Sequence, residues 1–172
     1  MSASDTEGTG AAEIEERVRA HLRELGVAYA EIACDPDLAD TAAFCAHYGF
    51  PLDASANTIV VAARKEPYRA CACVALATTR LDVNHTVCNL LGVRKASFAP
   101  AEMTPEVTGM LIGGVTPFAL PSTLPLYIDA AVMQRDRVVV GGGSRSIKLE
   151  ISPAALTAVA GARVIDGLAT AA

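Results

Sequence analysis

Tryptophan is absent from this sequence, and aromatic residues together make up only 5% of it. The core must therefore rest on Ala, Val, Leu and Ile, within a hydrophobic fraction of 52%. Long apolar runs are missing as well. Gly, Pro, Thr, Asp or Arg interrupts each one, well short of the roughly 18–20 residues that a membrane-spanning helix needs. That argues against a membrane protein despite a mean hydropathy of +0.34. Residues 1–10 are polar and acidic, without the basic and apolar regions of a signal peptide, so the expected location is the cytoplasm. No cluster of five or more Lys and Arg exists, and the formal charge is −5. A protein that tracks a nucleic-acid backbone needs a basic stripe, so duplex DNA is not an expected partner. An acidic chain can still hold one end of an RNA in a local pocket, an engagement less sensitive to salt. The five cysteines are odd in number in a chain with no export signal, which argues against a disulfide framework.

What is present fits one domain. The 172 residues are enough to bury a substantial core. A disordered tail is expected over 1–10 and a single domain over 11–172. Ile14, Val18, Leu22 and Leu25 recur at helical spacing and predict a helix over 13–25, closed by Gly26. A strand is expected over 27–34, then a helix capped by Asp37 or Asp40 that runs to Tyr48 and stops at Gly49. Segments 58–65 and 69–78 read as a hairpin. The second is apolar on both faces and should be central. Asp82 opens a helix to Leu91, Thr104 and Pro105 fit the start of a helical turn, and strands follow at 125–130, 137–142 and 146–151. Ser152-Pro153 opens a last helix to about residue 160, and 163–165 reads as a final strand. The fold class is α+β: a mixed, mostly antiparallel, partly barrel-like sheet with helices packed outside.

Few side chains suggest covalent chemistry. There is no G-x-S-x-G elbow, and His21 and His47 lie in helices with no acidic partner that spacing can place. Cys71 and Cys73 share a strand face, and His85 and Cys88 share a helix face. Three thiolates and an imidazole suit tetrahedral zinc. Yet the Cys strand is embedded in Ala and Val, and free cysteine behaves as a small buried hydrophobe. Core packing is the expected role, with no metal site and no cofactor. Gly141-Gly142-Gly143-Ser144-Arg145 follows a strand and could cradle an anion. It lacks the Walker pattern, so a hairpin turn and a ligand loop both stay open.

The most structured stretch is Met110 to Pro121, where an apolar run meets Gly113-Gly114 and is stiffened by Pro117 and Pro121. Glycine allows positive φ and close backbone approach. Pro117 pushes Thr116 toward extended geometry. The result is a rigid loop whose N–H and C=O groups can face a ligand.

Taken with Glu106 to Met110 before it, and with Leu124 to Asp129 and Val138 to Arg145 after it, this order resembles the YbaK / prolyl-tRNA-synthetase-associated family. The resemblance runs from about Leu38 to the C-terminus and is sharpest in Thr108-Gly109…Gly113-Gly114-Val115-Thr116-Pro117-Phe118. It implies a trans-editing hydrolase that cleaves the ester between a wrong amino acid and its tRNA. The loop from Gly113 to Pro117 would form a backbone wall around the aminoacyl group. Catalysis would lean on a positioned water and the terminal ribose hydroxyl. Gly113, Gly114 and Thr116 would carry the catalytic role. Thr108, Pro117, Phe118, Gly142, Ser144 and Arg145 would contribute to substrate binding. The implied partners are the aminoacyl-tRNA acceptor end and a synthetase, with a homodimer left open.

Two positions depart from the family. Ala119 stands where a glycine is usual. Asn57 stands where a lysine normally opens the strand, and it is carried as a catalytic position for that reason. A neutral amide replaces a fixed charge for a phosphate or an oxyanion. Lys65 is roughly 26 Å further along an extended strand, so it is no local replacement; Lys95 and Arg145 could reach the site only through the fold. The competing reading is a non-catalytic ligand- or aminoacyl-binding module that lost activity with the lysine.

Overall fold

The computed structural model describes residues 3–172, with side chains from Gly10 onward. Helix α1 (Ala3–Leu25) begins earlier than the apolar spacing suggested. Residues 1 and 2 of the expected tail lie outside the described residues, and 3–10 form the first turns of α1. Val18 and Leu22 are fully buried, each contributing about 1.5–3 kcal/mol of transfer free energy. On another face Arg19 pairs with Glu15, Glu16 and Glu31. Gly26 ends the helix at φ +66°.

Two main sheets carry the domain. The smaller has the order β1 (Tyr29–Ala33), β8 (Ile147–Ile151), β7 (Val138–Gly141), all antiparallel. The larger has the order β5 (Ala96–Phe98), β2 (Ala56–Ala63), β3 (Ala70–Leu76), β6 (Leu126–Asp129), β9 (Arg163–Ile165). In it β2 pairs antiparallel with both β3 and β5, whereas β6 runs parallel to β3 and β9. A small antiparallel pair, β4 (Thr79–Leu81) with β10 (Ala169–Ala171), completes the strands; the sequence pattern had not marked either one. The sheet is mixed and mostly antiparallel, as expected, but it does not close into a barrel. The isolated bridge Ser55–Val139 joins the two main sheets.

Strand β3 is central, with one face in each of two cores. Ala72, Val74 and Leu76 pack with α1, β6, β7 and β8. Cys71, Cys73 and Ala75 pack with Val87, Cys88 and Leu91 on the other side. A third, smaller core lies outside the small sheet, where Val139 meets Phe44 and Cys45 of α2 (Thr41–Tyr48). Period-two alternation sets this up: Val138 and Val140 face the main core while Val139 faces α2.

The helix signals held with shifts at their ends. Asp82 accepts from the N–H groups of His85 and Thr86, and the Thr86 hydrogen bonds hold its carboxyl below the usual carboxylate range. The segment it caps is a wide turn (Val83–Val87) running into α3 (Cys88–Leu91). Helix α4 (Met103–Thr108) starts before Thr104, which is not its cap. Helix α5 (Ala154–Thr157) is shorter than expected because a turn at 158–162 leads directly into β9.

Candidate functional site

Asp40 starts the site. Its Oδ1 accepts from the Ala43 N–H at 3.3 Å and so caps α2, while Gly49 in the left-handed region ends it. Phe44 and Cys45 pack the eight-residue helix against Val139 of β7, with Lys148 of β8 beside the Phe44 ring. The first turn of α2, the start of β2, the end of β7 and the Gly113–Val115 loop enclose a cavity of about 380 Å³. That is within the usual range for a small-molecule site.

Glycines set the loop against β7. A Cβ on Gly141 would strike the Val115 carbonyl oxygen, and one on Gly114 would strike the Ser144 backbone. Only bare backbone permits that approach. A hydrogen bond from the Gly143 N–H to the Gly114 carbonyl, 2.6 Å, locks the contact. Gly143 itself sits at φ +99° under Ile14 and Val18 of α1. The Gly141–Gly143 run is thus the β7–β8 connection and the seat of the Gly113-Gly114 loop at once.

The loop is held at its far end too. Ala119 adopts φ +59°, the strained region where the family resemblance expects glycine. Its N–H donates to His21 Nδ1 at 2.8 Å, and the imidazole lies edge-on to Phe118. His21 is therefore a structural anchor, a partnership its helical spacing alone did not reveal.

Of the residues singled out from the sequence, Asn57 and Gly113 line the cavity. Asn57 Oδ1 accepts from the Thr41 hydroxyl at 2.5 Å. Gly114 lies just behind the wall, buried against Ser144. Thr116, Pro117 and Phe118 are buried beyond it, and Thr116 Oγ1 has no hydrogen-bond partner among the described residues. Thr108 is likewise turned inward: its hydroxyl donates to the Thr104 carbonyl and accepts from Met110 N–H. Ser144 donates to Glu15 at 2.5 Å, away from the cavity. Arg145 donates twice to the Pro36 carbonyl, at 3.1 and 2.7 Å, with its guanidinium packed over Gly113. Gly142 faces Ile147.

The lining also holds residues that the sequence pattern did not mark as part of a site. Asp40 and Thr41 come from the helix cap, and Thr58 Oγ1 is buried without a partner among the described residues. Lys148 is the fourth. It is 7% exposed, with Nζ 5.2 Å from the centre of the Phe44 ring. Burial holds its pKa below the ordinary lysine range, opposed by Cys34, Cys45 and Asp40 and assisted by Arg145. In Ile147-Lys148-Leu149-Glu150-Ile151 the alternation marks Lys148 as solvent-facing, and nothing local says that α2 covers it.

The cysteine and histidine set does not converge. Cys71 and Cys73 are fully buried, with sulfurs 3.7 Å apart, while the His85 side chain is 85% exposed and faces Asp82. No group of three metal-ligating side chains is assembled among the described residues. Nor is any described helix long and apolar enough to cross a membrane.

A sequence model of the aminoacyl-tRNA editing domain matches residues 35–159, which include every element around the cavity. The chain belongs to the aminoacyl-tRNA editing domain family. Solved structures share the fold of this editing domain. The hypothetical protein APE2540 is 25% identical, with a TM-score of 0.78, 90% of this chain covered and 99% of that one. A candidate trans-editing enzyme for prolyl-tRNA synthetase is 24% identical, with a TM-score of 0.75, 88% of this chain covered and 94% of the other. The editing domain match starts at residue 35, so all of α1 lies outside it, although Val18, Leu22 and His21 bear directly on the core and the loop.

Proposed function

We propose that this protein is a cytoplasmic trans-editing hydrolase that cleaves the ester bond of mischarged aminoacyl-tRNA. The observation that carries the reading is the cavity between the capped start of α2 and the Gly113–Val115 backbone wall, in a chain of the editing domain family. An aminoacyl ester presents an α-ammonium, a carbonyl and a small side chain. Asp40 offers a carboxylate for the first, and backbone with Ala39, Ala42 and Ala56 limits the size of the last. Selection by size matters because a synthetase rejects a near-isosteric amino acid only weakly by binding, so a second hydrolytic site is needed.

In the reaction a water oxygen bonds to the ester carbonyl carbon, and the carbonyl oxygen becomes an oxyanion. Collapse breaks the bond to the terminal ribose oxygen, which takes up the proton released by water. The products are the free amino acid and a tRNA with its hydroxyl restored. The site's part is to hold ester and water between the Gly113–Val115 wall and the Thr41–Asn57 pair. With a net charge of −5, grip on the rest of the tRNA falls to a local contact or to a partner synthetase.

One observation favours a second reading. Asn57 is neutral and its amide oxygen is already engaged by Thr41, as suits a binding module without turnover. A deacylation assay on a panel of mischarged tRNAs separates the two, with wild type beside Asn57→Lys and the cavity-filling Ala42→Phe. Ala42 is exposed at the mouth, so its variant should fold. Hydrolysis by wild type that is lost in Ala42→Phe supports editing at this cavity. Inert wild type with activity gained in Asn57→Lys supports the binding module. No hydrolysis by any of the three on any substrate would sink the editing reading.

A further inference from the structure

We propose that Lys148 contacts the substrate, its ammonium binding an anionic oxygen at the acceptor end of the aminoacyl-tRNA. The proposal rests on the editing reading for its substrate, but its physical basis is the cavity itself. Lys148 and Asn57 line the same space, and only one of them carries charge. The residue is more than nine-tenths buried, and its ammonium forms no ion pair among the described residues. The face of Phe44 attracts a cation without neutralising it. A buried charge without a counter-ion costs several kcal/mol, and an ionisable group held at such a cost in a cleft marks a functional site.

The placement is specific. Lys148 lies directly opposite Gly141 on β7, the glycine whose missing side chain lets the strand touch the Val115 carbonyl. The ammonium is therefore mounted beside the backbone wall. Thr58 Oγ1, buried in the same lining without a partner among the described residues, offers a hydrogen bond to the same ligand. The titratable and charged groups around Lys148 are Asp40 at the N-cap of α2, Cys34 after β1, Cys45 on α2 and Arg145 before β8. Of these, Asp40 accepts from the Ala43 N–H through Oδ1 and makes no ion pair with Lys148, and Arg145 donates to the Pro36 carbonyl. Two oxygens of the substrate fit: a backbone phosphate, or the ester carbonyl oxygen as it becomes the oxyanion.

The test compares wild type with Lys148→Met, Lys148→Arg and the exchange Asn57→Lys/Lys148→Met, each first checked for folding by urea titration. With a mischarged tRNA that wild type hydrolyses, Lys148→Met should lose at least tenfold in kcat/KM. Lys148→Arg should keep part of the activity, and the exchange should recover part of it. A loss confined to kcat identifies the oxyanion, and a rise confined to KM identifies the phosphate. Unchanged kcat/KM in folded Lys148→Met overturns the proposal and leaves the editing reading standing. If wild type is inert on every tRNA, the editing reading fails, and adenosine 5′-monophosphate binding by calorimetry decides the role of Lys148. Binding that falls at least tenfold in Lys148→Met but persists in Lys148→Arg supports an anion site. Equal affinity in all three, or no binding to any, overturns it.

Discussion

His21 accepts a hydrogen bond from the backbone N–H of Ala119, 2.8 Å away and 98 residues later in the chain. The contact ties α1 to the end of the Gly-rich loop, at a residue whose φ of +59° favours glycine. Ala119→Gly should therefore stabilise the protein. Relief of left-handed strain, about 1–2 kcal/mol, outweighs the added chain entropy of about 0.5–1 kcal/mol. His21→Leu should destabilise it by about 1–3 kcal/mol, because a half-buried N–H is left unpaired. Urea midpoints at constant m check both; a lower midpoint for Ala119→Gly would mean that the alanine methyl has a packing role that exceeds its strain.

Gly141 is where β7 touches the loop. Gly141→Ala drives a methyl into the Val115 carbonyl, and because the obstacle is backbone it cannot rotate away. The expected cost is about 1–3 kcal/mol, accompanied by displacement of the cavity wall. Gly26→Ala is the control: its added Cβ meets open space, so only the positive-φ penalty remains. Thermal unfolding of the pair, with amide shifts of Gly113 to Val115 by NMR, separates crowding from strain. Shifts confined to the site of mutation in Gly141→Ala would count against a docked loop.

The proposed role of Lys148 has a cost in stability with a definite pH dependence. Burial lowers its pKa in the folded protein, whereas in the unfolded chain it is an ordinary lysine near about 10.4. Between these values the unfolded chain binds more protons, so stability rises with pH. Below the folded pKa both states are protonated and the full cost is present. Lys148→Met should thus be more stable than wild type at pH 7, on the order of 1 kcal/mol, with the gap narrowing towards pH 10. Wild type equal to or more stable than the variant at pH 7 would show that the ammonium is already compensated within the protein.

Cys71 and Cys73 are fully buried in the sheet. The hydrogen bond shared with Cys71, with burial second, pushes the Cys73 thiol far above the ordinary range. Since a reagent must reach the sulfur and both side chains are sealed in the sheet, neither should react with a thiol reagent in the native protein at pH 8. All five cysteines should label once the chain is unfolded in guanidinium. Labelling resolved by peptide mass spectrometry makes the comparison, and fast native modification of either residue would show that β3 opens readily.

Much of this architecture is written locally. The spacing of Ile14, Val18 and Leu22, the Asp40 cap and Gly49 stop of α2, and the doubly apolar Ala70–Leu76 strand act over a few residues. They therefore declare themselves in the sequence. So does the Gly113–Pro117 loop, because glycine and proline restrict backbone directly. The relative order of strands is less local: β6 runs parallel to β3 although residues 77–125 intervene, and hairpin logic does not anticipate it.

The site divides along the same line. Asn57 and Gly113 were legible because each is a local departure or a local conformational requirement. Ser144, Arg145 and Thr108 are polar residues in suggestive places, yet each is occupied by Glu15, the Pro36 carbonyl or its own helix. Those partners lie far off or depend on exact rotamers. The sequence by itself determined the elements, the rigid loop and the missing charge at position 57. Only the tertiary structure decided that α2 lies across β8, turning a lysine on the nominal solvent face into a buried ammonium at the cavity wall. Alternation specifies which face of a strand a residue occupies. What covers that face is settled by packing between segments that no local pattern connects.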